Sequence, residues 1–311
     1  MFVLKLFILI ILLSSPAVRA EEKLLHVSFD VNRELLKEIN DCFIKKNNIK
    51  IKILQSHGGS GKQTSSVIHG LPADVVSLAL PYHMDLLAKK GIVANNWRDL
   101  FPNNASPFST NIVFLVRKNN PKNIKDWDDL AKPNVEVITA NPKTSGGALW
   151  NYLAAWIYAM KKYSNDQEMA KEYMSKLYNN VPILDSTARN SAITFIKRNM
   201  GDVLITWASE AEYIIHKLNP NYEIIEPSIS IDIDIPVAIT LNKNKQDLAK
   251  EYVNFLFLKE GQNIITKYYY QPFNQKQTKA KNIVNPEDYI NWYNFKKDHF
   301  NENGIFEQIY K

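Results

Sequence analysis

The chain has 311 residues, 45% hydrophobic and 23% charged, a balance that supports a folded core and excludes a disordered chain. Its 38 Lys and Arg against 32 Asp and Glu leave a formal charge of +6, modest and spread along the chain, which argues against nucleic acid as a partner. A single cysteine, Cys42, excludes an internally disulfide-stapled scaffold. A buried structural place is expected for it.

The first twenty residues, MFVLKLFILIILLSSPAVRA, combine Lys5, an apolar run from Leu6 to Leu13 and small residues at Val18 and Ala20 around Arg19. That is the pattern of a secretory signal peptide over 1–20, and the run is shorter than the roughly 20 apolar residues a membrane span needs. Cleavage would remove Lys5 and Arg19 with the signal, leaving 291 residues and a charge of +4. That length is near the point at which one core gives way to two. No cysteine follows the cleavage site directly, so no lipid anchor is expected, and no later apolar stretch is long enough for membrane insertion.

After the signal, Lys23 to Phe29 reads as a strand, with Asp30 after it and Asn32 placed to cap a helix from Arg33. Ile49 to Leu54 alternates like a strand and ends at Ser56-His57-Gly58-Gly59-Ser60-Gly61. Helix is expected from Thr64 to His69, strand from Ala73 to Leu80 and helix from Tyr82 to Lys90. The apolar run Asn111–Val116 is a strand, followed by a short helix near Trp127 and a strand from Val135 to Thr139. Ala148 to Lys161, apolar around most of its circumference, predicts a helix packed on both sides. Helix Asp166–Leu177, strand Val181–Leu184, helix Ser191–Arg198, strand Val203–Trp207 and helix Ser209–Leu218 follow. Strands are expected at 222–226, 229–234 and 237–241, then helices at 246–258 and 261–270, stopped by Gln271-Pro272. The tail holds Trp292, Tyr293, Phe295 and Phe306, which predicts packing against the body. Strand and helix alternation of this kind specifies an open α/β fold. Crossings near 105–112 and 227–237 divide it into two lobes, with 21–108 and 236–311 forming lobe 1 and 109–235 forming lobe 2.

Three loops at strand-to-helix transitions carry the candidate chemistry: Ser56 to Lys62, Thr144-Ser145-Gly146-Gly147, and Asp185-Ser186-Thr187-Ala188-Arg189. Unbonded N–H groups at a helix start, with the favourable end of the helix dipole, bind anions. Glycine lets the backbone approach closely, and serine adds a hydroxyl donor. The first loop is not a nucleotide P-loop, because Ser56 stands where that motif needs glycine and Gln63 where it needs Ser or Thr. The histidines at 26, 57, 69, 83, 216 and 299 lack metal-ligand spacing, and neither Ser60 nor Ser145 sits in a nucleophile elbow. His57 is a candidate for ordering the first loop. No cofactor, metal or catalytic residue is expected.

Four stretches, LLHVSFDVNREL, QSHGGSGKQ, NPKTSGGALWNYLAAW and DVLITW, resemble in content and order the periplasmic sulfate-binding proteins of bacterial sulfate/thiosulfate uptake systems. The resemblance runs from about Leu24 to Phe273. It implies an α/β type II periplasmic binding protein fold whose two lobes close over one oxyanion, sulfate or thiosulfate, for delivery to a membrane ABC permease. It also implies no enzymatic activity, a periplasmic location, and a chain expected to act as a monomer. Carried over by position, the ligand contacts fall at Asp30, Ser60, Ser145, Gly146, Gly147, Ala188 and Trp207. The Asp30 side chain is expected to point away from the anion, and the site is expected to offer donors only. Leu149 departs from the family's arginine, Thr187 and Asn190 from its glycines, and Ala208-Ser209 from a more polar pair. The alternatives are another tetrahedral oxyanion as ligand, or an exported phosphatase or sulfatase, which would need a nucleophile or a metal centre.

Overall fold

The computed structural model describes residues 22–275 and 282–310, so the expected signal peptide at 1–20 lies outside the described residues. Strand β1 (Glu22–Phe29) passes through a single 3-10 turn, Asp30–Asn32, into helix α1 (Arg33–Asn47). Asn32 does not cap that helix: its Oδ1 accepts from the Tyr270 hydroxyl at 2.8 Å. Strand β2 (Ile51–Gly58) leads directly into α2 (Ser60–Ile68), then β3 (Val75–Ser77) and α3 (Pro81–Lys89), with Pro81 at the helix start where its missing N–H is harmless. The short turn α4 (Pro102–Ala105) precedes the long strand β4 (Phe108–Arg117).

Helix α5 (Trp127–Leu130) is held by a capping box between Asp126 and Asp129, and β5 (Val137–Ala140) follows. Helix α6 (Gly146–Lys162) buries nearly every residue as far as Ala159, as its all-round apolar pattern predicts, and ends on Lys161 and Lys162, which suit the dipole. Then come α7 (Gln167–Asn179), β6 (Leu184–Asp185), α8 (Ala188–Ile196), β7 (Val203–Trp207) and α9 (Ala208–Tyr213), which continues as one wider helical turn to Leu218. Strands β8 (Tyr222–Ile225), β9 (Ser230–Ile235) and β10 (Val237–Ile239) precede helices α10 (Gln246–Phe257) and α11 (Lys259–Lys267). The chain closes with β11 (Gln271–Pro272), β12 (Ile283–Val284), α12 (Trp292–Phe300) and α13 (Ile305–Ile309).

These strands form two sheets, ordered β10-β3-β1-β2 and β12-β9-β4-β7-β5-β6, with β8 and β11 also on β4. Parallel pairs β1–β2 and β1–β3 build the first, and parallel β5–β6 and β5–β7 the second. Their carboxyl ends are where an open α/β sheet places its ligand. Pro236, lacking an N–H, separates β9 in the second sheet from β10 in the first. Each sheet with its helices is one lobe of a two-lobed α/β fold.

The tail corrects one part of the expected division. The expected division places residues 282–310 in lobe 1, yet β12 pairs with β9 of the second sheet. The Tyr152 hydroxyl of α6 bonds His299 Nδ1 of α12 at 2.8 Å, and α13 packs on α7. The aromatic outer face of α6, not the nearer lobe in sequence, decides where the tail lies. The strand expected at 181–184 is reduced to two residues. Cys42 is partly buried against the main core.

Burial holds His26, His83 and His299 at about 3, far below the ordinary 6.5. The unfolded chain therefore takes up three protons near pH 6.5 that the folded protein refuses. Stability present at pH 7 and above is lost as pH falls from 6.5 towards 3. The expected loss is about 2 kcal/mol per histidine at pH 5. Urea unfolding of the ligand-free protein at pH 7.5 and 5.0 checks this, and equal stability at both values would refute it.

Candidate functional site

Three helices begin where the two sheets face each other: α2 from the first lobe, α6 and α8 from the second. Between their starts lies a small cavity of about 20 Å³ for the centre of a water-sized sphere, above the roughly 10–15 Å³ that one water requires. Asp30, Ser60, Gly146, Gly147, Ala188 and Trp207, all singled out from the sequence, line it. Ser145 does not. It sits buried behind the wall, with its Oγ accepting from the Ala148 N–H at 3.3 Å and its own N–H bonded to the Asn141 carbonyl at 2.9 Å.

The donors can be accounted for one by one. In α6, Ala148 donates to Ser145 Oγ and Leu149 to the Ser145 carbonyl. The N–H groups of Gly146 and Gly147 have no acceptor within the helix. In α8, Arg189 donates to Asp30 Oδ2 at 2.9 Å, Asn190 to Thr187 Oγ1 at 3.2 Å and Ser191 to the Thr187 carbonyl at 3.2 Å. Of the first-turn groups of α8, Ala188 alone is left to face the cavity. Ser60 Oγ accepts from the Ala79 N–H at 3.0 Å, which leaves its own proton for another acceptor. Trp207 is 4% exposed, and its Nε1 is buried with no acceptor among the described residues. A buried N–H left unpaired costs about 1–3 kcal/mol, so this group in a cavity wall marks a place where an acceptor belongs.

The Asp30 carboxylate, taken by the Arg189 N–H, is turned onto the start of α8. The Arg189 guanidinium grips Glu34 with two hydrogen bonds of 2.6 and 2.8 Å. Both contacts cross from one lobe to the other. So do the Trp150 indole N–H, which donates to the Ala79 carbonyl at 2.6 Å, and the edge-to-face pair Phe29–Trp207, centroids 5.3 Å apart. The lobes are therefore closed on each other around the cavity.

One wall residue was missed. Glu210, in the first turn of α9, lines the cavity. Burial pushes its carboxyl up to about 7; Arg189 pulls the other way, while Asp30 and Glu34 add to the rise. The wall is thus not made of donors alone. In sequence, Glu210 reads as an ordinary acidic residue in a helix's first turn, and only its position three residues past Trp207 at a strand end could have flagged it. His57, the candidate for ordering the first loop, bonds Gln55 Oε1 at 2.7 Å and the Phe29 carbonyl at 3.4 Å, tying the ends of β1 and β2 together. Among the described residues no group of three or more His, Cys, Asp or Glu is placed to hold a metal ion, and no helix is long and apolar enough to cross a membrane.

Residues 28–271 match the family model described as bacterial extracellular solute-binding protein. The chain is 43% identical to the sulfate-binding protein of Escherichia coli strain K12, with 96% of this chain and 97% of that one covered. It is 39% identical to the thiosulfate-binding protein of Pseudomonas aeruginosa, with 94% of each covered. Among solved structures, the sulfate-binding protein SubI of Mycobacterium tuberculosis H37Rv superposes with a TM-score of 0.82 at 25% identity, over 90% of this chain and all of that one. A periplasmic thiamin-binding protein superposes at 0.69 with 18% identity, over 87% of this chain and 92% of that one, a likeness of fold alone.

Proposed function

The chain belongs to the bacterial extracellular solute-binding protein family, and on that footing we propose that it captures sulfate between its lobes and delivers it to a membrane ABC permease. The observation that carries this reading is the buried, unpartnered Trp207 N–H, which shares one small cavity with the free N–H groups that begin α6 and α8. Sulfate is a dianion with acceptors only. Neutral dipoles aimed at it from two helix starts supply what it loses from water. Hydrogen phosphate brings a proton that needs an acceptor; burial favours the protonated, donating form of Glu210 and Asp30 Oδ2 already takes the Arg189 N–H, so the wall favours the ion that carries no proton. Among the described residues no Lys or Arg lines the cavity, so no direct charge pair would have to be broken on release.

In this reading Asp30, Gly146, Gly147 and Ala188 donate through backbone N–H, Ser60 through hydroxyl or backbone, and Trp207 through its indole; the proposed part of Ser145, whose N–H is taken by the Asn141 carbonyl, is indirect. Ser145, behind the wall, holds the start of α6 in place. Capture and release involve no chemistry on the ligand, so the protein acts as a receptor and not as an enzyme. Residues 1–20 act as the export signal, the protein works in the periplasm, and one chain supplies the whole site, which suits a monomer. Thiosulfate is the second reading, favoured by the 39% identical relative of that name and by the matching charge and shape of the ligand.

Parallel calorimetric titration of anion-stripped protein with sulfate, thiosulfate and phosphate tests this directly. Saturable sulfate binding with far weaker phosphate binding is expected; no heat and no thermal stabilisation from sulfate would refute it. The variant Trp207→Phe keeps most of the ring and loses the N–H. A hydrogen bond to a charged group is worth about 1.5–3 kcal/mol, so sulfate affinity is expected to fall roughly ten- to hundredfold. Unchanged affinity would remove Trp207 from the site.

A further inference from the structure

Beside the cavity, but not in its wall, the two lobes meet backbone to backbone. Gly59, at the start of α2, would place a Cβ 2.3 Å from the Thr144 carbonyl oxygen and 3.6 Å from the Ser186 carbonyl oxygen, both on the opposite lobe. Its own backbone does not call for glycine: φ −59° and ψ 138° lie in the extended region open to any residue. The opposing carbonyl is held in place. The Thr144 N–H bonds the Asn141 carbonyl at 3.1 Å, and its hydroxyl donates to the Ser186 carbonyl at 2.8 Å. Thr144 also lies two residues before Gly146, whose position is 2.9 Å from Ser60 Oγ when measured from an added Cβ. Docking of the first loop on Thr144 and docking of Ser60 beside Gly146 are thus parts of one contact.

We propose that Gly59 is a positioning residue for lobe closure: it touches no ligand, and its missing side chain is what lets the Ser60 loop seat against Thr144 and complete the site. This rests on the reading of the protein as an anion receptor. An alanine here fits the first lobe alone, because the contact that excludes it comes from the other lobe. It stops the lobes roughly 1 Å short of their present approach, because 2.3 Å is about that far inside van der Waals separation. Donors on the two lobes then cannot both reach hydrogen-bond distance from one ion.

The test compares wild type, Gly59→Ala and Gly61→Ala by sulfate calorimetry, stopped-flow tryptophan fluorescence and ligand-free thermal unfolding. A Cβ at Gly61 would lie 3.7 Å from the Lys143 carbonyl oxygen and 3.8 Å from that of Thr144, an ordinary contact, so Gly61→Ala should bind as wild type does. For Gly59→Ala the expected result is affinity lower on the order of 100-fold, the scale that a misplacement of about 1 Å can produce. The loss should lie in faster release with association unchanged, because closure follows encounter, and the ligand-free melting temperature should stay the same. Sulfate affinity within about threefold of wild type would overturn the proposal. So would a lowered ligand-free melting temperature, since the first lobe must be undisturbed. Wild-type protein that fails to bind sulfate overturns the functional reading, and this proposal with it; wild-type binding beside an unaffected Gly59→Ala overturns this proposal alone.

Discussion

Deleting residues 282–311 is expected to leave the protein aggregated, or soluble with a melting temperature lower by about 10 °C or more. The tail covers one face of α6 and α7. Tyr152 is fully buried there, Tyr178 is 2% and Trp156 6% exposed, and their rings meet Phe295, His299, Phe300 and Phe306 edge on or tilted. Trp150 packs on Trp292 in the same way. The entropy of ordering the tail offsets the burial of its own side chains, so the face left uncovered sets the loss. Each large side chain returned to water costs about 1.5–3 kcal/mol. For four of them the sum is comparable with the whole stability of a folded protein, about 5–15 kcal/mol. The apolar patch left behind favours aggregation. Thermal unfolding and a solubility assay of the truncated protein decide it; a soluble product melting within about 3 °C of wild type would show that the tail is an accessory.

That the tail packs was legible from its aromatic residues; where it packs was not. Local pattern reports how much apolar surface a segment must hide, not which surface hides it. The complement was present in α6, whose all-round apolar sequence required cover on two sides, but nothing local linked Tyr152 to His299, 147 positions away. The same limit explains the strands. The expected strand Val203–Trp207 matches to the residue, because four apolar or aromatic residues and the β-branched Thr206 follow the break at Gly201-Asp202. Gln271–Pro272 and Ile283–Val284 are strands only because β4 and β9 offer them an edge. Asn32 carried a capping signal and was instead taken by the Tyr270 hydroxyl, a partner from the far end of the chain.

The site divides along the same line. Helix starts rich in small residues announce themselves, and those three loops do converge. What the spacing could not show is the fate of each donor. Only the fold reveals that Arg189, Asn190 and Ser191 spend their N–H groups on Asp30 and Thr187, which leaves Ala188 free. Nor could it show that Ser145 stands behind the wall while Glu210, silent in the sequence, is part of it.

Two adjacent glycines make the sharpest case. Gly146→Ala is expected to lose sulfate binding by at least two decades, about 3 kcal/mol or more, whereas Gly147→Ala is expected to lose little. In the sequence they are indistinguishable, each a small residue at the first turn of the same helix and each a proposed donor. In the structure a Cβ on Gly146 would lie 2.7 Å from Ala79 Cβ, 2.7 Å from Leu80 Cδ1 and 2.9 Å from Ser60 Oγ, all on the opposite lobe. Ala79 Cβ is fixed by its backbone, whose N–H bonds Ser60 Oγ and whose carbonyl accepts the Trp150 indole N–H, so it cannot step aside as the end of a long side chain would. A Cβ on Gly147 would meet Ala188 Cβ at 3.4 Å and Trp207 Cε2 at 3.7 Å, both on its own lobe and at close to ordinary contact. Alanine suits a helix interior better than glycine does, so neither change should destabilise the ligand-free protein. Calorimetric titration of both variants, with their ligand-free melting temperatures, separates the explanations. Equal losses would mean that contact with the opposite lobe does not distinguish the two positions, and would refute this account, since alanine keeps the backbone N–H at both. A loss confined to Gly146 would mean that the protein binds by bringing two lobes into van der Waals contact, and that this position leaves no space for a methyl group between them.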